Sequence, residues 1–283
     1  MSGLTGCSAR IHLLGPVSLV LPDGRREVPR DVRVGGSSAP RGSLPAQLRK
    51  VLAVLAIARD VPLSAEQIVK RVWDGDPPES AIQMVRNQIR SLRQLFAAVE
   101  RDVVVRAHGG YRLATAGLDI DAEQFRTLVR QGRSLHAAGH QAEAVRVLER
   151  GLALWHGQEA LVDVRDVPGL QVEAVGLEEM RFHTEEMVAE GHLALGRPED
   201  ALPVLRAMTL LHPSREWPWL LLMAAQTLVG RRIEASGVTY RQAQHHLVEK
   251  TGLDAPLLAR VHQALLRGSH GQELLTLIKR GAW

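Results

Sequence analysis

Seven of the eight polar side chains between Gln83 and Gln94 gather on one side or its flank and carry groups suited to reading nucleic acid: Gln83, Arg86, Asn87, Arg90, Ser91, Arg93 and Gln94. Arg donates to phosphate oxygens and guanine edges, while Asn and Gln bond adenine. No acidic residue interrupts the span from Gln83 to Phe96. At helical spacing Gln83, Asn87, Arg90, Ser91 and Gln94 share one side, with Arg86 and Arg93 on its flank. Ile82, Val85, Ile89, Leu92 and Phe96 recur on the other side and are expected to be buried. An ordinary solvated face fits the same pattern, so this helix alone assigns no function.

The neighbouring elements narrow the choice. Ser64 and Gln67 have capping-box spacing and open a helix that should end near Trp73. Asp-Gly-Asp-Pro-Pro breaks the chain, and Glu79 or Ser80 restarts it as the polar-faced helix. Asp102 to Ala114 is β-rich and folds back at His108-Gly109-Gly110, the signature of a hairpin. Helix, turn, helix and hairpin in that order make a winged helix-turn-helix. Upstream, Leu44 to Arg59 is helical, with Leu48, Val51, Leu52 and Leu55 inward and Arg49 and Lys50 read as solvated surface rather than as phosphate contacts. Ile11 to Leu21 is β-prone with a break at Gly15-Pro16. Pro22-Asp23-Gly24 should turn the chain and Arg25 to Val28 return it, giving a small antiparallel sheet. The Gly/Ser-rich stretch 34–43 reads as a loop.

The charge is divided. Residues 1–115 carry 17 Lys and Arg against 10 Asp and Glu, a net of +7; residues 116–283 carry 18 against 21, a net of −3. A basic first half fits nucleic acid, and a mildly acidic second half fits a different partner. Cys7 is the only cysteine, which excludes an intrachain disulfide and a cysteine-based zinc site. The chain has no apolar run of membrane-spanning length, and its first residues lack a signal-peptide core. A cytoplasmic location without membrane contact is therefore expected.

From Leu118-Asp119-Ile120-Asp121 onward the composition turns helical. GHQAEA at 139–144, GRPEDA at 196–201 and GRRIEA at 230–235 repeat one pattern: Gly ends a helix, and a small Ala begins the next in close packing. The second and third copies are 34 residues apart, the tetratricopeptide period, whereas the first and second are 57 apart. The loop-like stretch from His156 to Gln171 interrupts the array. Such arrays commonly bind proteins, although this one could pack only on itself and on the first domain. The expected fold is mainly α: a winged helix-turn-helix with small sheets (1–116), an all-α tetratricopeptide-like domain (117–270) and a C-terminal tail (271–283).

Catalytic signatures are missing. There is no P-loop, no H-E-x-x-H and no G-x-S-x-G, so neither an enzyme nor a cofactor is expected. No metal site is expected either, since the twelve His are scattered and His245-His246 reads as surface. Glu178-Glu179 and Glu185-Glu186 read as a solvated helix face. No parallel α/β unit precedes the winged helix, so no receiver domain is expected.

These residues resemble the Streptomyces antibiotic regulatory proteins, which join an OmpR-type winged helix to a bacterial transcriptional activator domain. LLGPVSLVL, LRKVLAVLA, VWDGDPPESA, IRSLR and GGYRL match the first part in order; LALWHGQEALVDV, LEEMR, LALGR, HPSRE and LVGRR match the second. The similarity covers about residues 11–267. The resemblance implies an activator that binds direct repeats in double-stranded DNA near promoters of a biosynthetic cluster. It also implies recruitment of RNA polymerase, with protomers arranged as a homodimer or side by side on DNA. Asn87 and Ser91 match base-facing positions, Arg90 and Arg93 phosphate-facing ones, and Trp73 a residue packed at the phosphate backbone. Ser80, Gln83, Arg86 and Gln94 complete the expected DNA-binding set on this helix. Arg106 lies one residue further from Gly110-Tyr111 than the family's usual wing arginine, which leaves His108 or Arg112 as substitutes. A different-class alternative is a helical interaction scaffold, or a repressor, whose winged domain does not activate.

Overall fold

The computed structural model describes residues 9–21, 44–73, 75–97, 102–252 and 254–281. The expected turn at 22–24, the returning strand at 25–28 and the loop 34–43 lie outside the described residues. The chain forms two compact units, one of residues 1–127 with 153–180, the other of 128–152 with 181–283. This division falls elsewhere than the boundary expected near residue 116.

In the first unit β1 (Ala9–His12) pairs antiparallel with β2 (Ser18–Val20). Three helices follow: α1 (Ala46–Ala58), α2 (Ala65–Val72) and α3 (Ala81–Phe96). Leu48, Val51, Leu52 and Leu55 of α1 are fully buried. The capping box at α2 is complete: Gln67 N–H donates to Ser64 Oγ at 3.2 Å, and Ser64 N–H to Gln67 Oε1 at 2.8 Å. The wing is β3 (Val104–Ala107) and β4 (Gly110–Leu113), antiparallel with Arg106 opposite Tyr111 and Val105 opposite Arg112. His108 and Gly109 both have positive φ, 45° and 76°, as a two-residue hairpin turn of the primed type requires. Leu63 adds a single bridge to Tyr111, with reciprocal N–H···O bonds of 2.8 and 2.7 Å. That approach needs Gly110, because a Cβ there would lie 2.4 Å from the Leu63 carbonyl oxygen.

Leu118-Asp119-Ile120, expected only as a change of composition, is strand β5 (Leu118–Ile120). It pairs parallel with β1 and completes a sheet of order β2-β1-β5. Helix α4 (Asp121–Ala137) starts at once. Asp121 is 2% exposed, and its carboxylate accepts the N–H groups of Leu13 (2.8 Å), Leu14 (3.2 Å) and Ala122 (2.7 Å). Burial pushes its carboxyl up to about 6, while those N–H groups and Arg10 pull the other way.

The stretch expected as loop-like from His156 to Gln171 is so only to Val167, since Pro168–Gln171 open a helix, and it is not a mere interruption. His156 N–H bonds Leu14 O, Leu161 N–H bonds Leu13 O, and Asp163 accepts Val17 N–H, each at 2.9 Å. Ala160, Leu161, Val164 and Val167 are fully buried. Arg49 and Lys50, expected as solvated surface, are ion-paired with Asp163 and Asp166. Glu178 is likewise no free surface acid: it binds Arg165 and accepts the Ala160 N–H at 3.0 Å.

The second unit is helical. It includes α5 (Gln141–Leu152), the C-terminal part of α6 (Pro168–Ala194), α7 (Pro198–Leu211) and α8 (Glu216–Leu228). Next come α9 (Tyr240–Gln244) with π-helical turns on either side, then α10 (Pro256–Leu266) and α11 (Gly271–Gly281). The three repeat glycines end helices in one way. Gly139, Gly196 and Gly230 have φ of 79°, 69° and 78°, and the residue after each donates five positions back. Those bonds are His140 N–H to Leu135 O, Arg197 N–H to His192 O and Arg231 N–H to Gln226 O, at 2.7–2.9 Å. Ala144, Ala201 and Ala235 are buried as the repeat requires. A fourth cap of the same form sits at Gly268, where Ser269 N–H bonds Ala264 O at 3.0 Å. The segment expected as a tail from residue 271 is therefore α11, whose Leu274, Leu275 and Ile278 are buried in the unit's core. Among the described residues, no helix is long and apolar enough to cross a membrane.

Candidate nucleic-acid interface

Helix α3 packs against α1, α2 and β3, which leaves one face open. Gln83, Asn87, Arg90 and Gln94 are all exposed and fall at intervals of four, three and four residues, one line along that face. Gln83 Nε2 donates to Asn87 Oδ1 at 3.2 Å, which holds the two amides side by side. Ser80 is the exposed N-cap of the helix, and its carbonyl accepts Met84 N–H at 2.9 Å. Trp73 closes α2 half-buried, donating its N–H to Val69 O at 2.9 Å.

Two expectations about α3 need correction. Ser91, expected to face bases, is only 9% exposed. It shares a line with Met84, Gln88 and Leu95, on the side that the neighbouring elements cover. Ile82, expected in the core, is 36% exposed. It shares the opposite edge with Arg86 and Arg93.

Between α2, α3 and the wing runs an open groove of about 400 Å³ whose lining includes Glu66, Arg86, Arg90, Arg93, Arg106 and Tyr111. Arg93 donates its Nε–H to Val104 O at 2.9 Å, so it ties α3 to β3 while its guanidinium remains exposed at the groove. Arg86, Arg90 and Arg106 are exposed, and no ion pair within 4.0 Å engages any of the four arginines among the described residues. Glu66 is the one acid in the lining. A hydrogen bond from Ser64, then its own backbone N–H, and Arg86 hold its carboxyl below the usual range. Four guanidiniums against one carboxylate make the groove an anion site by charge, and guanidinium geometry suits phosphate oxygens.

The wing separates its candidates by strand alternation. Arg106 and Tyr111 oppose each other on the face that also carries buried Val104 and Leu113, toward the groove. Arg112 opposes Val105 on the other face. There its Nη1 bonds Asp60 at 2.9 Å, and Asp60 also accepts Thr115 Oγ1–H at 2.6 Å and Thr115 N–H at 3.3 Å. Arg112 is thereby engaged on the face turned away from the groove that Arg106 lines. His108 stands exposed at the wing tip. Sequence reasoning missed Glu66 and Tyr111, because nothing in their spacing signals that α2 and β4 wall the same groove.

The chain matches the bacterial transcriptional activator domain over residues 120–266 and the C-terminal domain of transcriptional regulatory proteins over residues 41–113. The chain belongs to the Streptomyces antibiotic regulatory type of transcriptional activator. It is 31% identical to the transcriptional regulatory protein EmbR of Mycobacterium tuberculosis over 84% of this chain and 62% of EmbR. It is 30% identical to MoaR1 of Mycobacterium bovis over 99% of this chain and 86% of MoaR1. With AfsR of Streptomyces griseus it shares 31% identity over 78% of this chain and 22% of AfsR. The solved structure of M. tuberculosis EmbR, in complex with a low-affinity phosphopeptide, superposes with a TM-score of 0.76 and 28% identity. That alignment covers 96% of this chain and 69% of the EmbR chain. This chain thus spans a little over three fifths of EmbR's sequence and about a fifth of AfsR's.

Proposed function

We propose that this chain binds double-stranded DNA with α3 in the major groove and activates transcription from the promoter it occupies. The observation that carries this reading is the exposed Gln83-Asn87-Arg90-Gln94 line beside a groove walled by four arginines. The amides of Gln83 and Asn87 read base edges. Arg86, Arg90 and Arg93 hold phosphates, with Trp73 and Ser80 against the backbone at the end of α2 and the start of α3. Arg106 and His108 follow the wing to the neighbouring minor groove. Exposed Ile82 lies where a thymine methyl is met. Sites arranged as direct repeats place protomers side by side.

The helical unit contacts RNA polymerase. Support comes from side chains that a self-contained array would hide: Ile233 is 88%, Leu210 80% and Leu266 67% exposed. The regulated genes are those of a secondary-metabolite cluster, in line with the type of activator to which the chain belongs. The deciding experiment is genome-wide mapping of bound DNA, followed by in vitro transcription from the occupied promoters with the full chain. Enrichment of direct repeats and stimulated transcription are expected. Occupancy without sequence preference, or occupancy that leaves transcription unchanged, would refute the reading.

A further inference from the structure

The fold brings together three ligand-type side chains that lie far apart in the sequence. His12 ends β1, Asp121 begins α4, and His156 lies in the loop after Trp155. One ligand atom from each falls within 4.8 Å of the other two. We propose that His12 Nδ1, Asp121 Oδ2 and His156 Nε2 bind a divalent transition ion of the zinc class, which pins the 153–167 segment to β1 and to the start of α4.

The geometry is close to what the ion needs. Asp121 Oδ2 lies 3.7 Å from His12 Nδ1 and 3.9 Å from His156 Nε2. Ligands about 2.0–2.1 Å from a tetrahedral ion stand roughly 3.4 Å apart, so the two pairs made with Asp121 close by a few tenths of an ångström, and the two histidine nitrogens start within 4.8 Å of each other. The two imidazole rings are tilted at 51° with centroids 4.2 Å apart, and a shared ion opens that pair slightly. Two imidazoles and one carboxylate are a donor set that zinc accepts with water in the fourth position. His156 is 43% exposed at its side chain, against 7% for His12 and 2% for Asp121, so the open coordination position and the entry path lie on its side. The outer shell is already built: N–H groups of Leu13, Leu14 and Ala122 fix the carboxylate. The opposing charge nearby is Arg10, which is drawn to Asp119 at 3.9 Å.

The test uses the full chain, stripped with EDTA and then titrated with Co²⁺ and Zn²⁺. One Co²⁺ per chain with the strong visible bands of a tetrahedral site is expected, displaced by Zn²⁺, together with a higher Tm in Zn²⁺. His156→Ala should weaken Zn²⁺ at least about tenfold and abolish the Tm rise. His245→Ala, which removes an exposed histidine of the second unit, should change neither. In a Cys7→Ser background, His156→Cys should add a thiolate-to-cobalt charge-transfer band; this gain of signal stands even if the alanine variant folds poorly. Absence of stoichiometric binding, binding unaltered by His156→Ala, or no charge-transfer band in a folded His156→Cys variant would each overturn the proposal.

Discussion

Two basic clusters in the first unit look alike in sequence and are opposite in structure. Arg49 and Lys50 on α1 are each matched by an acid, Asp163 and Asp166. Arg86, Arg90, Arg93 and Arg106 share a groove with Glu66 alone and form no ion pair among the described residues. The first cluster joins two distant stretches of chain. The second is left with donors unspent, and unspent donors on a convex helix are what a polyanion requires. Charge by itself therefore does not mark a nucleic-acid surface. What separates the two clusters is pairing: Asp163 and Asp166 hold the first, and Glu66 is the one acid in the lining of the second.

The sharpest way to break this comparison is charge reversal in the second cluster. Arg86→Glu with Arg90→Glu should abolish specific DNA binding at moderate salt. Single alanine variants should each lower the slope of log K against log salt by about one, because each neutralised phosphate contributes roughly 0.9. Fluorescence anisotropy across a salt series measures this. A slope equal to that of the unaltered chain would place the DNA elsewhere.

Reversing the test, Asp163→Ala should harm the fold and spare the DNA contact. It strands the Arg49 guanidinium and leaves the buried Val17 N–H without its acceptor. The loss should be roughly 2–4 kcal/mol in urea unfolding, since breaking a part-buried pair and orphaning an N–H both count. The salt slope of the protein that remains folded should not move. A changed slope would mean that Arg49 touches phosphate after all.

Within the second cluster, Asn87→Ala should act on specificity alone. Loss of a bidentate base contact costs about 1–3 kcal/mol at one operator position and leaves the salt slope intact. Gln83 also loses its 3.2 Å partner, so a smaller change at a neighbouring base should accompany it. Binding to single-base operator variants decides this, and an unaltered preference would mean that another face of α3 reads the DNA.

How much of this was legible in the sequence follows from the range of each signal. The capping box at Ser64-Gln67, the hairpin at His108-Gly109 and the glycine-ended helices are local, and each is present. The fourth cap at Gly268 was missed because its sequence, GSHGQE, has Gln272 and Glu273 where the repeat has its acid and Ala. There Gly271 supplies the close approach instead, since a Cβ would meet Leu228 at 2.4 Å. The inward side of α3 was set by hydropathy, which put Ile82 in and Ser91 out. Three flanking elements cover a wider arc than the apolar residues mark, and the arc extends to Ser91. The partners of Asp121 and Asp163 were invisible, because contacts between residues a hundred positions apart leave no spacing to read.

The smallest expected effect separates the two wing arginines. Arg112 and Arg106 stand on opposite faces of one hairpin, Arg112 bonded to Asp60 and Arg106 lining the groove. The Arg112 side chain is 36% and the Asp60 side chain 53% exposed, so water screens their attraction. Asp60 keeps its Thr115 bonds when Arg112 is lost, and hydrogen bonding to Thr115 is the leading cause of its lowered carboxyl. Arg112→Ala should therefore cost less than about 1 kcal/mol of stability, the usual worth of an exposed pair. It should leave both the salt slope and base preference unchanged. Arg106→Ala should show the reverse pattern, with intact stability and a slope lower by about one. Paired melts and salt titrations on the two variants make the comparison. A shallower slope in Arg112→Ala would mean that the wing meets DNA with its Asp60 side, and Arg106 would then have to be withdrawn from the interface.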